Sequence, residues 1–152
     1  GRLLAHLDER MRGFIAARAP HAAKAFFVTC EQNDPSRMSA DQLEDDLKAA
    51  GIAPATRLAW WRKRGYRRLD FRYEQPPLHP DADPCTYLDY YARLSDGEPS
   101  ANDSIGSAVL IEHLRRFFFV SVGKFAFDMN KNPQWLRQKR ELEHREEIRL
   151  TA

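Results

Sequence analysis

Apolar residues at three- and four-residue steps open the chain: Leu3, Leu4, Leu7, Met11, Phe14 and Ile15, with His6, Asp8, Glu9, Arg10 and Arg12 mostly between them. This spacing predicts an amphipathic helix over about 2–18, ended by Pro20. The apolar run 25–30 follows, bounded by Gln32-Asn33-Asp34-Pro35, and reads as a buried strand. A helix followed at once by a buried strand suggests half of an α/β crossover. Ser39-Ala40-Asp41-Gln42 has the form of a capping box, opening a short helix with Leu43 and Leu47 on one face and a stop at Gly51. Pro54 suits the first turn of a further helix, whose apolar face is Leu58, Trp60 and Trp61 and whose end is Arg62-Lys63-Arg64-Gly65.

Strict alternation comes next. Leu69, Phe71 and Tyr73 oppose Asp70, Arg72 and Glu74, and Leu88, Tyr90, Ala92 and Leu94 oppose Asp89 and Arg93. These read as two half-buried strands, paired antiparallel across a Pro- and Asp-rich loop. The polar stretch 95–103 reads as a linker. Ile105, Val109, Leu110, Leu114, Phe117 and Phe118 then mark an apolar helix, and Asn132-Pro133 starts a last helix predicted to run to about Leu150. That last helix is nearly all charge, with Arg137–Glu141 and Glu141–Arg145 at four-residue spacing. It has little to bury, so it sits in solvent or meets a partner, and a homodimer through the C-terminal helices is one expectation. The pattern divides the chain into 1–100 and a helical extension over 101–152.

Composition narrows the class. Of 152 residues, 43% are hydrophobic and 30% charged, enough to form a core and too ordered a mixture for a disordered tail. Twenty-four cations against 22 anions give a formal charge of +2, so charge alone requires no nucleic-acid partner. No apolar run approaches the roughly 20 residues of a membrane span, and no secretory signal is visible, which points to a cytoplasmic protein. Two cysteines (Cys30, Cys85) and five scattered histidines match no metal-site spacing, so no metal is expected. The chain opens at Gly1, without Met, directly in a helical pattern, as a fragment of a longer chain would.

The order helix, strand, helix ending in Gly-aromatic, then two antiparallel strands resembles the second half of the GNAT superfamily of N-acetyltransferases. The resemblance is sharpest at Arg57-Leu58-Ala59-Trp60-Trp61-Arg62-Lys63-Arg64-Gly65-Tyr66, where many members read Arg-x-x-Phe-Tyr-x-x-x-Gly-Phe. Tyr73-Glu74-Gln75-Pro76-Pro77-Leu78 is similar to the Tyr-x-x-Pro-x-Leu strand end of one branch. Gly1-Arg2-Leu3-Leu4 looks like the tail of the R/Q-x-x-G-x-G/A motif, and Phe27-Val28-Thr29-Cys30-Glu31 with Asn33-Asp34-Pro35 looks like the fifth strand and its exit. The likeness covers about residues 1–94. It implies an α/β fold with an α+β mixed sheet, the C-terminal half of a GNAT-like acyltransferase.

What the resemblance implies chemically is acetyl transfer from acetyl-CoA, as cosubstrate, to a primary amine of a small molecule or protein. The cofactor pyrophosphate would lie on backbone N–H groups at the start of the first helix, with Gly1 and Arg2 contributing; unpaired N–H groups and the helix dipole make such a terminus an anion site. Asn33 would hydrogen-bond a pantetheine amide, Trp61 would pack on the cofactor, and Arg57 is among the cations that could meet its phosphates. Glu31, at the end of a buried strand, is the base candidate, because burial raises a carboxylate's proton affinity. Plainer readings stand beside each: a turn for Asn33, a core aromatic for Trp61, an Arg-paired carboxylate for Glu31. Trp61 occupies the place of the family's usual Tyr acid and has no hydroxyl, leaving Tyr66, Tyr73 or water for that role. This departure favours the alternative of a non-catalytic interaction module. The basic stretch 57–72, with Trp60, Trp61 and Tyr66 interleaved, reads first as a solvated face, second as a cofactor-phosphate contact and third as a nucleic-acid patch.

Overall fold

The computed structural model describes residues 2–18, 26–77, 83–95, 100, 102–121 and 128–151. Helix α1 (Arg2–Arg18) leads to strand β1 (Phe27–Asn33), a 3-10 turn (Pro35–Arg37), and helices α2 (Ala40–Ala50) and α3 (Pro54–Arg62). Strands β2 (Arg67–Leu69), β3 (Leu88–Leu94) and β4 (Ser104–Gly106) follow. Helices α4 (Ser107–Ser121) and α5 (Pro133–Glu143) and strand β5 (Glu147–Thr151) complete it. The five strands form one sheet in the order β1-β3-β2-β5-β4. The described residues make a mixed α/β protein with five helices and an antiparallel five-strand sheet.

Local chemistry sets several boundaries. The Ser39 Oγ accepts from Gln42 N at 3.2 Å while Gln42 Oε1 accepts from Ser39 N at 2.8 Å, the reciprocal cap expected of that tetrapeptide. Gly51, at φ 69°, closes α2 by donating its N–H to Leu47 O. Gly65, at φ 82°, turns the chain after α3 toward β2.

Opposite faces of the sheet carry different cores. On one, α4 and α5 bring Leu110, Leu114, Phe118, Trp135 and Leu142 against Leu69, Phe71, Tyr73, Leu88, Tyr90, Ala92, Ile148 and Leu150. On the other, Leu58 and Trp61 of α3 pack on Tyr66, Tyr91, Val28 and Cys30. Helix α1 is joined to β3 by the Arg93–Asp8 ion pair at 2.5 Å, while Leu7, Met11 and Phe14 of its apolar row stay exposed.

Several expectations are corrected. The last helix ends at Glu143, and 147–151 is a strand rather than its continuation: Ile148 and Leu150 point inward while Glu147 and Arg149 point out, the period-2 pattern of a strand flanked by β2 and β4. Residues 101–152 are therefore not purely helical. The charged α5 does have a face to bury, with Gln134, Trp135, Gln138 and Leu142 covered within the chain, so nothing in that face calls for a second copy. Ile105 belongs to β4, and α4 starts at Ser107. The mixed sheet and crossover expected from α1 and β1 are not seen, because every strand pair among the described residues is antiparallel. Strand β1, expected to be buried, is half-buried along its whole length, being paired only with β3. Strand β3 is buried on both faces from Leu88 to Ala92 because helices lie on both sides.

The predicted 69–74 strand is shorter than expected. Leu69, Phe71 and Tyr73 do face the core, but pairing stops at Leu69. Asp70 N turns to Arg149 O at 2.9 Å, and Phe71 N bonds back to Leu69 O at 2.9 Å, so the chain peels away from β3. The carbonyls left without a strand partner are taken by Arg37, which donates to Thr86 O (2.9 Å) and Leu88 O (3.1 Å) while pairing with Asp34 (2.9 Å) and Asp89 (2.5 Å). Arg37→Ala is expected to destabilise by about 2 kcal/mol, from two lost carbonyl bonds worth ~1 kcal/mol each. Buried Asp89 would then keep only Arg68, at 4.0 Å. Arg37→Lys should recover little, since an ammonium cannot span both carbonyls. Denaturant midpoints of the three proteins check this.

Candidate active site

Phe27, Thr29 and Glu31 share one parity on β1 and face the α4 side of the sheet, and the last two are polar. Glu31 accepts hydrogen bonds from the Tyr73 hydroxyl and, at 3.2 Å to each carboxylate oxygen, from the Gln75 amide. Two positions earlier, the Thr29 hydroxyl contacts Tyr90 OH at 3.0 Å and His113 Nε2 at 2.9 Å, and Tyr90 OH is 3.0 Å from the same nitrogen. The Tyr73 and Tyr90 rings stack at 4.8 Å and link the two halves. Strands β1 and β3, the extended segment after β2 and helix α4 thus converge on one polar cluster under the sheet.

Its electrostatics are those of groups withdrawn from water. Burial pushes the Glu31 carboxyl above its ordinary range, opposed by the hydrogen bonds from Tyr73 and Gln75. Among the described residues its donors, Tyr73 and Gln75, are neutral, with no cation beside them. Burial also holds the His113 imidazole below its usual value, favouring the neutral ring. The Tyr73 phenol is raised, by burial and then by the Glu31 charge, and Tyr90 is raised by burial. Cys30, on the opposite face, is pushed up to about 12 by burial and stays a thiol, which suits packing rather than nucleophilic attack.

The site lies on a strand with a free side. Ser95 N donates to Phe26 O (2.8 Å) and Asp34 N to Tyr87 O (2.7 Å), and Phe27 lies opposite Leu94. Even-numbered residues of β1 therefore exchange hydrogen bonds with β3, and the main-chain groups of Phe27, Thr29, Glu31 and Asn33 point the other way. The Gln32 amide caps one of these, Glu31 O, at 2.5 Å. No described strand covers the rest.

Of the candidate residues read from sequence, Glu31 sits at the centre of this cluster. Asn33 does not join it: its amide donates to Asp46 of α2 at 2.6 Å. Arg57 holds the same carboxylate through both oxygens at 2.8 Å and adds Ile52 O at 2.7 Å. Trp61 lies on the opposite face, edge-on to Trp60 and to Tyr66 at 4.7 Å each. Gly1 lies outside the described residues; Arg2 begins α1, and its side chain also lies outside them. Thr29, Gln75, Tyr90 and His113 went unread as site residues. Strand parity gave a signal for two of them, since Thr29 lies two residues from Glu31 and Gln75 two from Tyr73. Nothing local marks His113, which is brought in by α4.

Among the described residues no helix is long and apolar enough to cross a membrane, and no group of three or more His, Cys, Asp or Glu is placed to hold a metal ion. The sheet and cluster define a mixed α/β protein with a half-buried carboxylate on an edge strand of its described sheet. No protein family, curated protein or solved structure matches this chain.

Proposed function

We propose that the chain is the C-terminal half of a GNAT-like N-acetyltransferase, transferring the acetyl group of acetyl-CoA to a primary amine, with Glu31 as the base. The observation that carries this reading is a carboxylate of raised proton affinity that, among the described residues, is held by neutral donors and lies on a strand with no strand along its outer edge. In chain order, β1, α3, β2 and β3 also follow the arrangement of the family the sequence resembles. The free peptide groups of β1 suit the amides of a pantetheine arm, which could pair as an added strand would. The side chains assigned to the cofactor fit less well, since Asn33 and Arg57 are spent on Asp46 and Trp61 packs on the other face.

Glu31 would take the proton lost by the amine nitrogen as the C–N bond forms and the C–S bond breaks. That proton returns through water to the departing sulfur. Tyr73 gives its hydrogen bond to Glu31 and has a raised phenol, so its role is to position the carboxylate rather than to act as acid. Tyr66 lies in the core of the opposite face.

Acetyl-CoA at about 100 times its dissociation constant should stabilise the protein by about 2.7 kcal/mol, read as a rise in Tm. If Tm does not move at any concentration, the enzyme reading is abandoned. The engagement of both Asn33 and Arg57 by Asp46 favours the second reading, a non-catalytic interaction module, for which no turnover and no acetyl-CoA shift are expected. A nucleic-acid role for 57–72 has less support, because Arg57, Arg67 and Arg72 are already ion-paired with Asp46, Asp103 and Glu74.

A further inference from the structure

The gap left where residues 70–73 peel away from β3 is a cavity of about 310 Å³, on the side of β3 away from β1. Four arginines line it: Arg37, Arg68, Arg72 and Arg145. Two of its three acids are ion-paired among the described residues. Asp89 is held by Arg37 at 2.5 Å, Asp70 by Arg145 at 3.2 Å, and Glu141 accepts the backbone N–H of Arg72 at 3.2 Å. The arginines are engaged unequally. Arg37 is consumed by two carbonyls and two carboxylates. Among the described residues the Arg72 side chain uses only its Nε, on Glu74 at 2.8 Å. Arg68 makes no side-chain hydrogen bond among the described residues, and the nearest carboxylate it meets is Asp89 at 4.0 Å, a distance for charge attraction but too long for a hydrogen bond.

We infer that this cavity binds a phosphate group, through Arg68 and the free N–H groups of Arg72. The guanidinium fork presents paired donors that match two oxygens of one phosphate, and all four cations here are arginines. The volume is at the lower end for ligand sites, which suits one small anionic group. Phe71 and Tyr73 complete the lining and offer an apolar wall to whatever the phosphate esterifies. Tyr73 lines the cavity and also donates to Glu31, but the cavity and the Glu31 cluster share no charged residue, and the phosphate inference rests on the arginines rather than on the acyltransferase reading.

The test is titration with inorganic phosphate and, separately, phenyl phosphate, followed by calorimetry at constant ionic strength against chloride. Saturable binding is expected, and Arg68→Gln should weaken it about tenfold or more, the loss of one charge-assisted contact. The Arg68 side chain is half exposed and makes no hydrogen bond among the described residues, so this variant should fold; Arg72→Gln, more exposed still, is the second variant. Arg64→Gln, outside the cavity, should bind like the wild type. Tighter phenyl phosphate would assign an ester, and equal affinities the free ion. No saturable binding, binding matched by chloride, or equal loss in Arg64→Gln would overturn the inference.

Discussion

Glu31→Gln should, on the proposed acyltransferase reading, abolish most acetyl transfer, by a factor of about 10²–10⁴, the usual contribution of a positioned base, while leaving any acetyl-CoA-induced rise in Tm in place. The reason is geometric. A glutamine at 31 can still accept from the Tyr73 hydroxyl and fill the same space, so the open edge of β1 keeps its form, but it cannot take a proton. The variant also has a stability signature that requires no substrate. The folded-state pKa of Glu31 is raised by burial, above an unfolded value of about 4.3. Its contribution to stability is therefore fully present below that unfolded value and is lost as pH rises through the folded one. Glu31→Gln should accordingly gain on the wild type as pH climbs from 4 toward 7, with the difference fading at the acid end. Denaturation at several pH values measures it. A Glu31→Gln protein that is less stable at pH 7 than at pH 4, relative to wild type, would show that the carboxylate is stabilised as an ion, and the base assignment would fail with it.

Phe118→Ala should cost about 3–5 kcal/mol, the range for removing a buried aromatic. Phe118 is fully buried on α4, parallel to the Tyr73 ring at 6.1 Å and edge-on to Trp135 at 5.9 Å. It therefore joins α4, α5 and the segment that carries Tyr73. With total stabilities of about 5–15 kcal/mol for domains of this size, the loss should lower Tm by roughly 6–20 °C. The adjacent Phe119 is 71% exposed, and Phe119→Ala should stay within about 0.5 kcal/mol of wild type. Equal effects in the two variants would contradict the packing of α4. Because Tyr73 donates to Glu31, the proposed acyltransferase reading also expects the Phe118 variant to lose turnover beyond what its unfolded fraction explains.

Much of the secondary structure was legible because it is encoded within a few residues. The Ser39–Gln42 cap, the Gly51 and Gly65 turns, the helix over 2–18 and the inward set Leu69, Phe71 and Tyr73 follow from local hydrogen-bond chemistry and from periods of 3.6 and 2. The final segment shows the limit. Residues 147–151 follow a helix dense in charges at four-residue spacing, whose Arg137 and Arg145 pair with Glu74 and Asp70 rather than with Glu141, and only the presence of β2 on one side and β4 on the other makes a strand the better way to satisfy their backbone.

The site divides in the same way. Glu31 could be singled out from its own strand, since a carboxylate at the end of an apolar run must be desolvated. Its company could not: Tyr73 comes from 42 residues away, and His113 stands 84 residues from Thr29. The competition for Asn33 and Arg57 was equally hidden, because Asp46 lies on a helix whose acids look solvated in the linear chain. The linear pattern fixes which residues each helix and strand presents to its two sides, as a matter of backbone geometry. Which polar groups meet, and which are already satisfied before any ligand arrives, is decided only when the sheet closes and distant segments share the same water-poor space.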